Sequence, residues 1–291
     1  MLVLPTMDIV RYFDESVLQL QALYPPNEAK ELMYWLYEDV LLIKKAHLQL
    51  FSKELSFAEE LQLNTLKNRL LAGEPIQYIL GYAYFRDLVI QVNPSVLIPR
   101  PETEELVQAV IDSYKTWSEP KPKTLLDICC GSGCIALALK KTLAEPKLVA
   151  IDISEEALAT AKLNATQLKL PIQFEQLSVL DDTGKNYLQE VDAEIWVSNP
   201  PYISEAEKEQ MHPNVLQYEP HLALFVASVD IILFYRIIAQ AFCLNPKAQE
   251  LYFEISEFQV ELLTNMAEEL KLKHLFKKDL QGKWRILCLS K

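Results

Sequence analysis

The sequence contains no uninterrupted apolar run of the length that a membrane-spanning helix needs, about 20 residues. Its first residues, Met-Leu-Val-Leu-Pro-Thr-Met-Asp, lack the basic flank that precedes the apolar core of a secretory leader. Internal repeats and low-complexity tracts are also absent. With 291 residues, 50% hydrophobic and 23% charged, the chain is expected to form one large or two ordinary globular domains in the cytoplasm, without a membrane partner.

Basic residues are in the minority, with 28 Lys and Arg against 40 Asp and Glu and a formal net charge of −12. Non-specific attraction to a phosphate backbone needs a basic surface, so this balance argues against it. A nucleic acid recognised through a local patch stays open on charge alone. We expect no stable nucleic-acid partner.

Cysteine is scarce, with Cys129, Cys130, Cys134, Cys243 and Cys288 the only examples. An odd number without a secretory leader indicates reduced thiols. Three of the five cluster, but two adjacent cysteines followed by a third four residues later do not have a standard zinc spacing. We therefore expect them to pack as small core residues, and we expect no metal site.

Residues 1–80 carry a helical pattern throughout and are predicted to form a small N-terminal helical-bundle domain for substrate recognition. Prolines 25 and 26 interrupt the first helical stretch, and Asn27 is the predicted N-cap of a helix over residues 28–42. Ser56 and Glu59 form a capping-box pattern that opens a further helix. No pattern of catalytic side chains accompanies these helices.

The pattern then changes to β, and residues 81–104 are predicted to form a β-hairpin linker. The clearest strand of this linker covers residues 88–92. Glu102 or Thr103 is expected to start the helix that follows, over residues 105–114.

Residues 105–291 are predicted to form a second domain in which apolar strands alternate with helices, as in a mainly parallel sheet. A strand over residues 124–128 leads into a glycine turn at residues 129–133, where a helix begins. The next strand, over residues 148–151, ends in Asp152. An acid at this place in a doubly wound sheet can bind the two hydroxyls of a ribose.

This pattern fits two classes of cofactor. Gly131-x-Gly133-x-x-Ala136, with Asp152 placed 19 residues after Gly133, also matches the fingerprint of dinucleotide-binding proteins. Asp127 precedes the glycine turn as an anion suited to the amino-acid end of S-adenosylmethionine, where a pyrophosphate would be poorly accommodated. Asp127 therefore favours S-adenosylmethionine over NAD.

The apolar run over residues 193–198 is typical of a buried strand, and it ends abruptly at Asn199-Pro200-Pro201-Tyr202. The prolines fix the backbone and donate no N–H, so this corner presents the Asn199 amide, a free carbonyl at Pro200 and an aromatic ring. Two oxygen acceptors can take both hydrogens of a planar NH2 group and turn its lone pair toward an electrophile. On these four residues alone, a plain strand-ending loop fits equally well, but such a corner has no obvious task in hydride transfer.

Together these stretches closely resemble the HemK-type (PrmC) family, the peptide-chain release factor N5-glutamine methyltransferases, over nearly the whole chain. Asn-Pro-Pro-Tyr is shared with DNA and RNA amino-methyltransferases, and the upstream Ile-Pro-Arg-Pro-Glu-Thr-Glu separates this family from them. The motifs that carry the resemblance lie at residues 73–81 (Gly-Glu-Pro-Ile-Gln-Tyr-Ile-Leu-Gly), 96–104 (Val-Leu-Ile-Pro-Arg-Pro-Glu-Thr-Glu), 129–133, 197–203, 219–224 (Glu-Pro-His-Leu-Ala-Leu) and 234–236.

The resemblance implies an α/β fold in which residues 105–291 form an S-adenosylmethionine-dependent methyltransferase domain. This domain is Rossmann-like, with a mainly parallel seven-stranded sheet. The implied reaction transfers a methyl group from S-adenosylmethionine to N5 of the glutamine in the Gly-Gly-Gln motif of class I peptide chain release factors. It leaves S-adenosylhomocysteine and modulates translation termination.

By the same resemblance, Asn199 and Pro200 are catalytic, and Pro201 and Tyr202 join them in binding the substrate. One departure from the family is Cys129, which occupies the first glycine position of the turn, so this position must tolerate a β-carbon. The implied cofactor-binding residues are Asp127, Cys129, Cys130, Gly131, Ser132, Gly133, Asp152 and Asn199.

Two other classes of function stay open. A nucleic-acid amino-methyltransferase acting on adenine or guanine would use the same corner, but it would need a basic groove and elements that stack or flip a base. A non-enzymatic regulator that only binds the cofactor would have no use for the Asn-Pro-Pro-Tyr corner.

Overall fold

The structure is a computed structural model that describes residues 7–50, 53–204, 208, 211, 213–226 and 230–291. The chain divides into two compact units, Met1–Gly81 and Tyr82–Lys291. Each unit has its own cluster of buried apolar side chains. Within the described ranges, no helix has both the length and the apolar composition that crossing a bilayer requires.

The first unit is helical, as its sequence pattern predicts. Apolar residues recur on one face of each long helix, and fully buried side chains such as Ile9, Leu36 and Leu63 meet in a common core. The helices are α1 (Ile9–Leu20), α2 (Pro26–Leu41), α3 (Phe57–Leu71) and α4 (Ile76–Leu80), with a 3-10 helix at Lys45–Leu50.

The helix starts of this unit confirm one sequence prediction and correct another. The capping box at α3 is present: the Ser56 hydroxyl accepts from the Glu59 N–H at 3.3 Å, and the Glu59 carboxylate accepts from the Ser56 N–H at 2.8 Å. The prediction of Asn27 as an N-cap is wrong, because α2 begins at Pro26, two residues before the predicted start, and Pro25 is at the N-cap position. Proline suits the first helical position, since its fixed φ is helical and its missing N–H would have no partner there.

The second unit opens with a hairpin and is built on a mainly parallel sheet. Strands β1 (Tyr82–Phe85) and β2 (Leu88–Gln91) form the antiparallel hairpin. Among the described residues the large sheet has seven strands in the order β5-β4-β3-β6-β7-β9-β8, with β9 antiparallel to both of its neighbours. Its strands are β3 (Thr124–Ile128), β4 (Lys147–Asp152), β5 (Gln173–Gln176), β6 (Ile195–Ser198), β7 (Glu250–Glu254), β8 (Lys273–Lys278) and β9 (Trp284–Ser290).

Helices connect the strands from β3 to β8, as the alternating pattern predicts, which confirms the α/β fold class. One boundary is wrong: α5 begins at Pro101 rather than near residue 105, again with proline in the first turn and no side-chain cap. Thr103 therefore lies inside the helix and does not cap it. The helices are α5 (Pro101–Thr116), α6 (Cys134–Leu143), α7 (Glu155–Leu168), α8 (Asp182–Glu190), α9 (Pro213–Tyr218), α10 (His221–Leu224), α11 (Leu233–Leu244) and α12 (Val260–Glu269).

Strand β6 is anchored on both sides. The Trp196 side chain is fully buried, its indole N–H donates to the Ala193 carbonyl at 3.0 Å, and its ring meets that of Phe242 edge-on at 5.7 Å. At the strand end, the Ser198 hydroxyl donates to the Ile128 carbonyl of β3 at 2.7 Å. The backbone that enters residue 199 is therefore fixed by both the core and the neighbouring strand.

Asn164 of α7 joins the hairpin to the glycine turn. Its side-chain oxygen accepts from the Gln91 N–H at 2.7 Å, and its amide nitrogen donates to the carbonyls of Gln91 and Ser132, each at 3.0 Å. The side chain is 1% exposed. One of these bonds fixes the glycine turn at Ser132, and the other two fix the end of β2 at Gln91.

Candidate functional site

A cavity of about 290 Å³ lies where strands β3, β4 and β6 end. Register places Ile128 beside both Ile151 and Ser198, so the carboxyl ends of these three parallel strands share one edge of the sheet. Of the predicted site residues, the cavity wall includes Cys129, Cys130, Gly131, Ser132, Asp152, Asn199 and Pro201. The other four, Asp127, Gly133, Pro200 and Tyr202, lie within two residues of these in the chain but are outside the wall.

The glycine turn is tight and is tied to the neighbouring strand. The Cys130 N–H donates to the Ile151 carbonyl at 3.0 Å, and the Gly133 N–H donates back to the Cys130 carbonyl at 2.8 Å. Gly133 has φ +78°, and a β-carbon there would come within 3.2 Å of the Ala161 β-carbon on α7. Glycine is therefore required at this position both for the backbone conformation and for close helix packing.

Cys129 occupies the first glycine position of the family's turn, and its backbone has a conformation that favours glycine. Its φ is +62°, in the left-handed region, which costs an L-residue about 1–2 kcal/mol. Burial raises the pKa of the Cys129 thiol, and it raises that of Cys134 to about 12. These thiols therefore stay protonated, and all five cysteines are free. Within the described ranges, no three His, Cys, Asp or Glu side chains are arranged to hold a metal ion.

Asp127, near the end of β3, is fully buried. One of its carboxyl oxygens accepts from the Ala136 N–H at 3.1 Å, and the other has no hydrogen-bond partner among the described residues. Burial raises the pKa of Asp127 to about 8, against the Ala136 hydrogen bond, and the charge of Asp152 raises it further. The unpartnered oxygen suits a cationic donor, which would pair with the anion and reverse this shift.

Asp152 is the last residue of β4, at the strand end that its sequence pattern predicts. Its two carboxyl oxygens accept from different backbone groups, the Gly131 N–H at 2.8 Å and the Ser154 N–H at 2.9 Å. Burial raises the pKa of Asp152, and these two N–H donors oppose the shift. A carboxylate oxygen can accept more than one hydrogen bond, so the Asp152 carboxylate can also bind a diol.

The Asn-Pro-Pro-Tyr corner follows β6 directly. The Asn199 amide nitrogen donates to the Thr103 hydroxyl at 3.4 Å. No described residue donates to the Asn199 side-chain oxygen or to the Pro200 carbonyl. On the far side of the corner, the Gln259 side-chain amide donates to the Tyr202 carbonyl at 2.8 Å. Burial raises the pKa of Tyr202, so its phenol stays neutral. The corner thus offers two neighbouring acceptors on a supported backbone.

Two hydrogen-bonded pairs that the sequence patterns did not predict each have one member in the cavity wall, Arg100 in the first and Thr103 in the second. The Arg100 guanidinium lies 2.5 Å from the Glu219 carboxylate, whose side chain is 2% exposed. The Thr103 hydroxyl donates at 2.6 Å to the Glu254 carboxylate, which is buried at the end of β7. The signal for the first pair is that Arg100 and Glu219 both lie in motifs of the family resemblance.

The sheet order, the glycine turn and the acid-bearing strand ends define a methyltransferase-type Rossmann-like domain. The family described as Methyltransferase small domain matches residues 109–218, and the PrmC N-terminal domain matches residues 13–81. Solved structures with the same fold include the following two. The hMettl16 catalytic domain in complex with MAT2A 3′UTR hairpin 1 has a TM-score of 0.55 and 16% identity, over 81% of each chain. Human methyltransferase 10 domain containing protein has a TM-score of 0.50 and 15% identity, over 70% of this chain and 89% of its own.

Curated relatives match nearly the whole chain. The release factor glutamine methyltransferase of Flavobacterium psychrophilum is 39% identical over 98% of this chain and 99% of its own. That of Bacteroides thetaiotaomicron is 41% identical over 97% and 99%, and that of Lactococcus lactis is 35% identical over 86% and 89%. The chain therefore belongs to the release factor glutamine methyltransferase family. This confirms the resemblance, and with it a methyl-transfer domain rather than a dinucleotide dehydrogenase.

The raised pKa of Asp127 predicts how stability depends on pH. The unfolded chain loses this proton near the ordinary value of 3.8, whereas the folded protein keeps it to about pH 8. Between these values the folded state binds more protons. The contribution of Asp127 to the free energy of unfolding therefore falls as pH rises, by at most about 1.4 kcal/mol per pH unit.

Asp127→Asn has a similar shape but no proton to lose, so it serves as the reference. Denaturant unfolding at pH 5 and pH 8 should show the advantage of wild type over this variant shrinking as pH rises. An advantage that is the same at both pH values would contradict the assigned protonation of Asp127.

Proposed function

We propose that this protein transfers a methyl group from S-adenosylmethionine to the side-chain amide nitrogen of the glutamine in the Gly-Gly-Gln motif of class I release factors. The observation that carries this proposal is the pair of acceptors directly after β6, the Asn199 side-chain oxygen and the Pro200 carbonyl, of which Asn199 lines the cavity. The names of the relatives support the same substrate. Release factors act at the ribosome, so the proposed reaction takes place in the cytoplasm.

The residues at the strand ends fit S-adenosylmethionine. Asp127 has an unpartnered buried oxygen for the ammonium of the methionine part, and the Asp152 carboxylate in the cavity wall can accept from the ribose hydroxyls. The glycine turn at residues 129–133 allows the cofactor to approach the backbone between these two acids. When bound, S-adenosylmethionine supplies a methyl group attached to a positively charged sulfur. The sulfur keeps the electron pair of the carbon–sulfur bond when that bond breaks.

The corner activates a weak nucleophile by holding both of its hydrogens. The nitrogen lone pair of a carboxamide is delocalised into the carbonyl, so a free glutamine amide attacks poorly. Asn199 and Pro200 accept its two N–H bonds and favour a geometry in which the lone pair leaves the amide plane. Positive charge builds on this nitrogen as the new bond forms, so both oxygens bind the transition state more strongly than the ground state.

The final proton transfer needs no dedicated base. A methylated amide nitrogen that still carries both protons is strongly acidic, so water can take one of them. The same acceptors give selectivity, because a glutamate carboxylate has no N–H to donate and would bring negative charge against two oxygens. Tyr202 and Pro201 are proposed to cover the planar side chain of the substrate.

We also infer that residues 1–80 recognise the release factor rather than take part in the chemistry. The match of residues 13–81 to the PrmC N-terminal domain supports a role that is particular to this family.

The direct test is methyl transfer to purified macromolecules. The protein should label a class I release factor with a methyl group from radioactive S-adenosylmethionine, and it should not label the same factor with alanine in place of the Gly-Gly-Gln glutamine. Total RNA and DNA should accept no label in parallel reactions. Labelling of a nucleic acid, or equal labelling of the alanine variant, would contradict the proposed function.

Asn199→Ala tests the role of the corner. Loss of one acceptor that acts mainly in the transition state should lower kcat about 100- to 1000-fold. Calorimetry with S-adenosylhomocysteine should show cofactor affinity changed by less than threefold, because Asp127 and Asp152 are untouched. Asn186→Ala, at an exposed site on α8, is the matched control and should keep full activity. An active Asn199→Ala enzyme would remove this residue from the mechanism.

A further inference from the structure

Thr103 connects the corner to a buried carboxylate on another strand. It lies in the first turn of α5, is 3% exposed and lines the cavity. Its hydroxyl donates to the Glu254 carboxylate at 2.6 Å, and its oxygen accepts from the Asn199 amide nitrogen at 3.4 Å. These two hydrogen bonds link the side chains of Asn199, Thr103 and Glu254 in series.

The donor and acceptor roles in these two hydrogen bonds fix the orientation of the Asn199 side-chain amide. A hydroxyl has one proton, and Thr103 gives it to the Glu254 carboxylate, which can only accept. Thr103 can then only accept from Asn199, so the amide nitrogen must face Thr103 and the side-chain oxygen must face away. Among the described residues, no other side chain bonds to the Asn199 amide and selects between its two orientations.

We propose that Thr103 and Glu254 are positioning residues for the methylation reaction, which set the Asn199 side chain with its oxygen toward the acceptor nitrogen. This inference rests on the proposed function of the same corner. The opposite orientation would present the Asn199 NH2 to the substrate. It would then repel the N–H groups that the reaction must hold.

Protonation of Glu254 would reverse the donor and acceptor roles in these two hydrogen bonds. A neutral carboxyl can donate to the Thr103 oxygen, which frees the Thr103 proton to point at Asn199 and favours the flipped amide. Burial raises the pKa of Glu254 to about 7, against the Thr103 hydrogen bond and the charge of Arg285. The titratable and charged groups that act on Glu254 are Arg100, Glu102, Cys134, Tyr202, Tyr235 and Arg285.

The sign of the pH effect follows from this. Above about pH 7 the Glu254 carboxylate is charged and the amide is correctly turned, so kcat at saturating cofactor should be at its plateau. Below that pH kcat should fall, approaching tenfold per pH unit. Glu254→Gln keeps an oxygen that accepts from Thr103 but does not titrate, so its kcat should be flat from pH 6 to pH 8.

Thr103 variants separate positioning from a purely structural role. Thr103→Val removes the hydroxyl at nearly constant shape and should lower kcat about 10- to 100-fold at pH 8, with little change in KM for the cofactor. Thr103→Ser should restore most of the lost rate. Thr264→Val, a threonine on α12 whose hydroxyl bonds only within its helix, is the control and should match wild type.

A readout that needs no catalysis keeps this inference separate from the proposed function. In protein labelled with ¹⁵N-asparagine, the Asn199 NH2 signal, assigned by its loss in Asn199→Ala, should shift with pH with a midpoint near 7. The shift should be absent in Glu254→Gln and in Thr103→Val. An Asn199 signal that does not titrate in wild type, or that titrates equally in both variants, would overturn the inference. An enzyme that shows the shift but methylates no release factor would instead contradict the proposed function alone.

Discussion

The proposed activity depends on two oxygen atoms, the side-chain oxygen of Asn199 and the carbonyl oxygen of Pro200. They stay available to a substrate because the backbone around them is held in place and no described residue donates a hydrogen bond to either of them. The two prolines supply part of this constraint, because they fix φ and have no N–H. Strand β6 supplies the rest, since Trp196 is buried and Ser198 is bonded to β3.

The same edge of the sheet explains why the acceptors lie beside the residues suited to a cofactor. Strands β4, β3 and β6 are neighbours, so Asp152, Asp127 and Asn199 come from three adjacent strand ends. The hydrogen bond from the Gly131 N–H to Asp152 ties the glycine turn to the acid on the next strand. Parallel pairing therefore brings together groups that are up to 72 residues apart in the sequence.

Local sequence patterns predicted the strand ends and the corner, because alternation, glycine and proline act over a few residues. The positions of Asp152 and of the Asn-Pro-Pro-Tyr corner follow from such signals. Patterns failed at helix starts, where Asn27 and Thr103 look like caps but a neighbouring proline takes the first helical position. They also missed the bond between Thr103 and Glu254, because these residues are 151 positions apart and meet only once α5 packs against the sheet.

A crystal structure of the protein with S-adenosylhomocysteine and a peptide that contains Gly-Gly-Gln would show directly what the two acceptors bind. We expect the glutamine amide nitrogen to lie within about 3.2 Å of both the Asn199 side-chain oxygen and the Pro200 carbonyl oxygen. A complex in which the Asn199 nitrogen instead contacts the glutamine carbonyl, or in which the glutamine lies outside the corner, would contradict it.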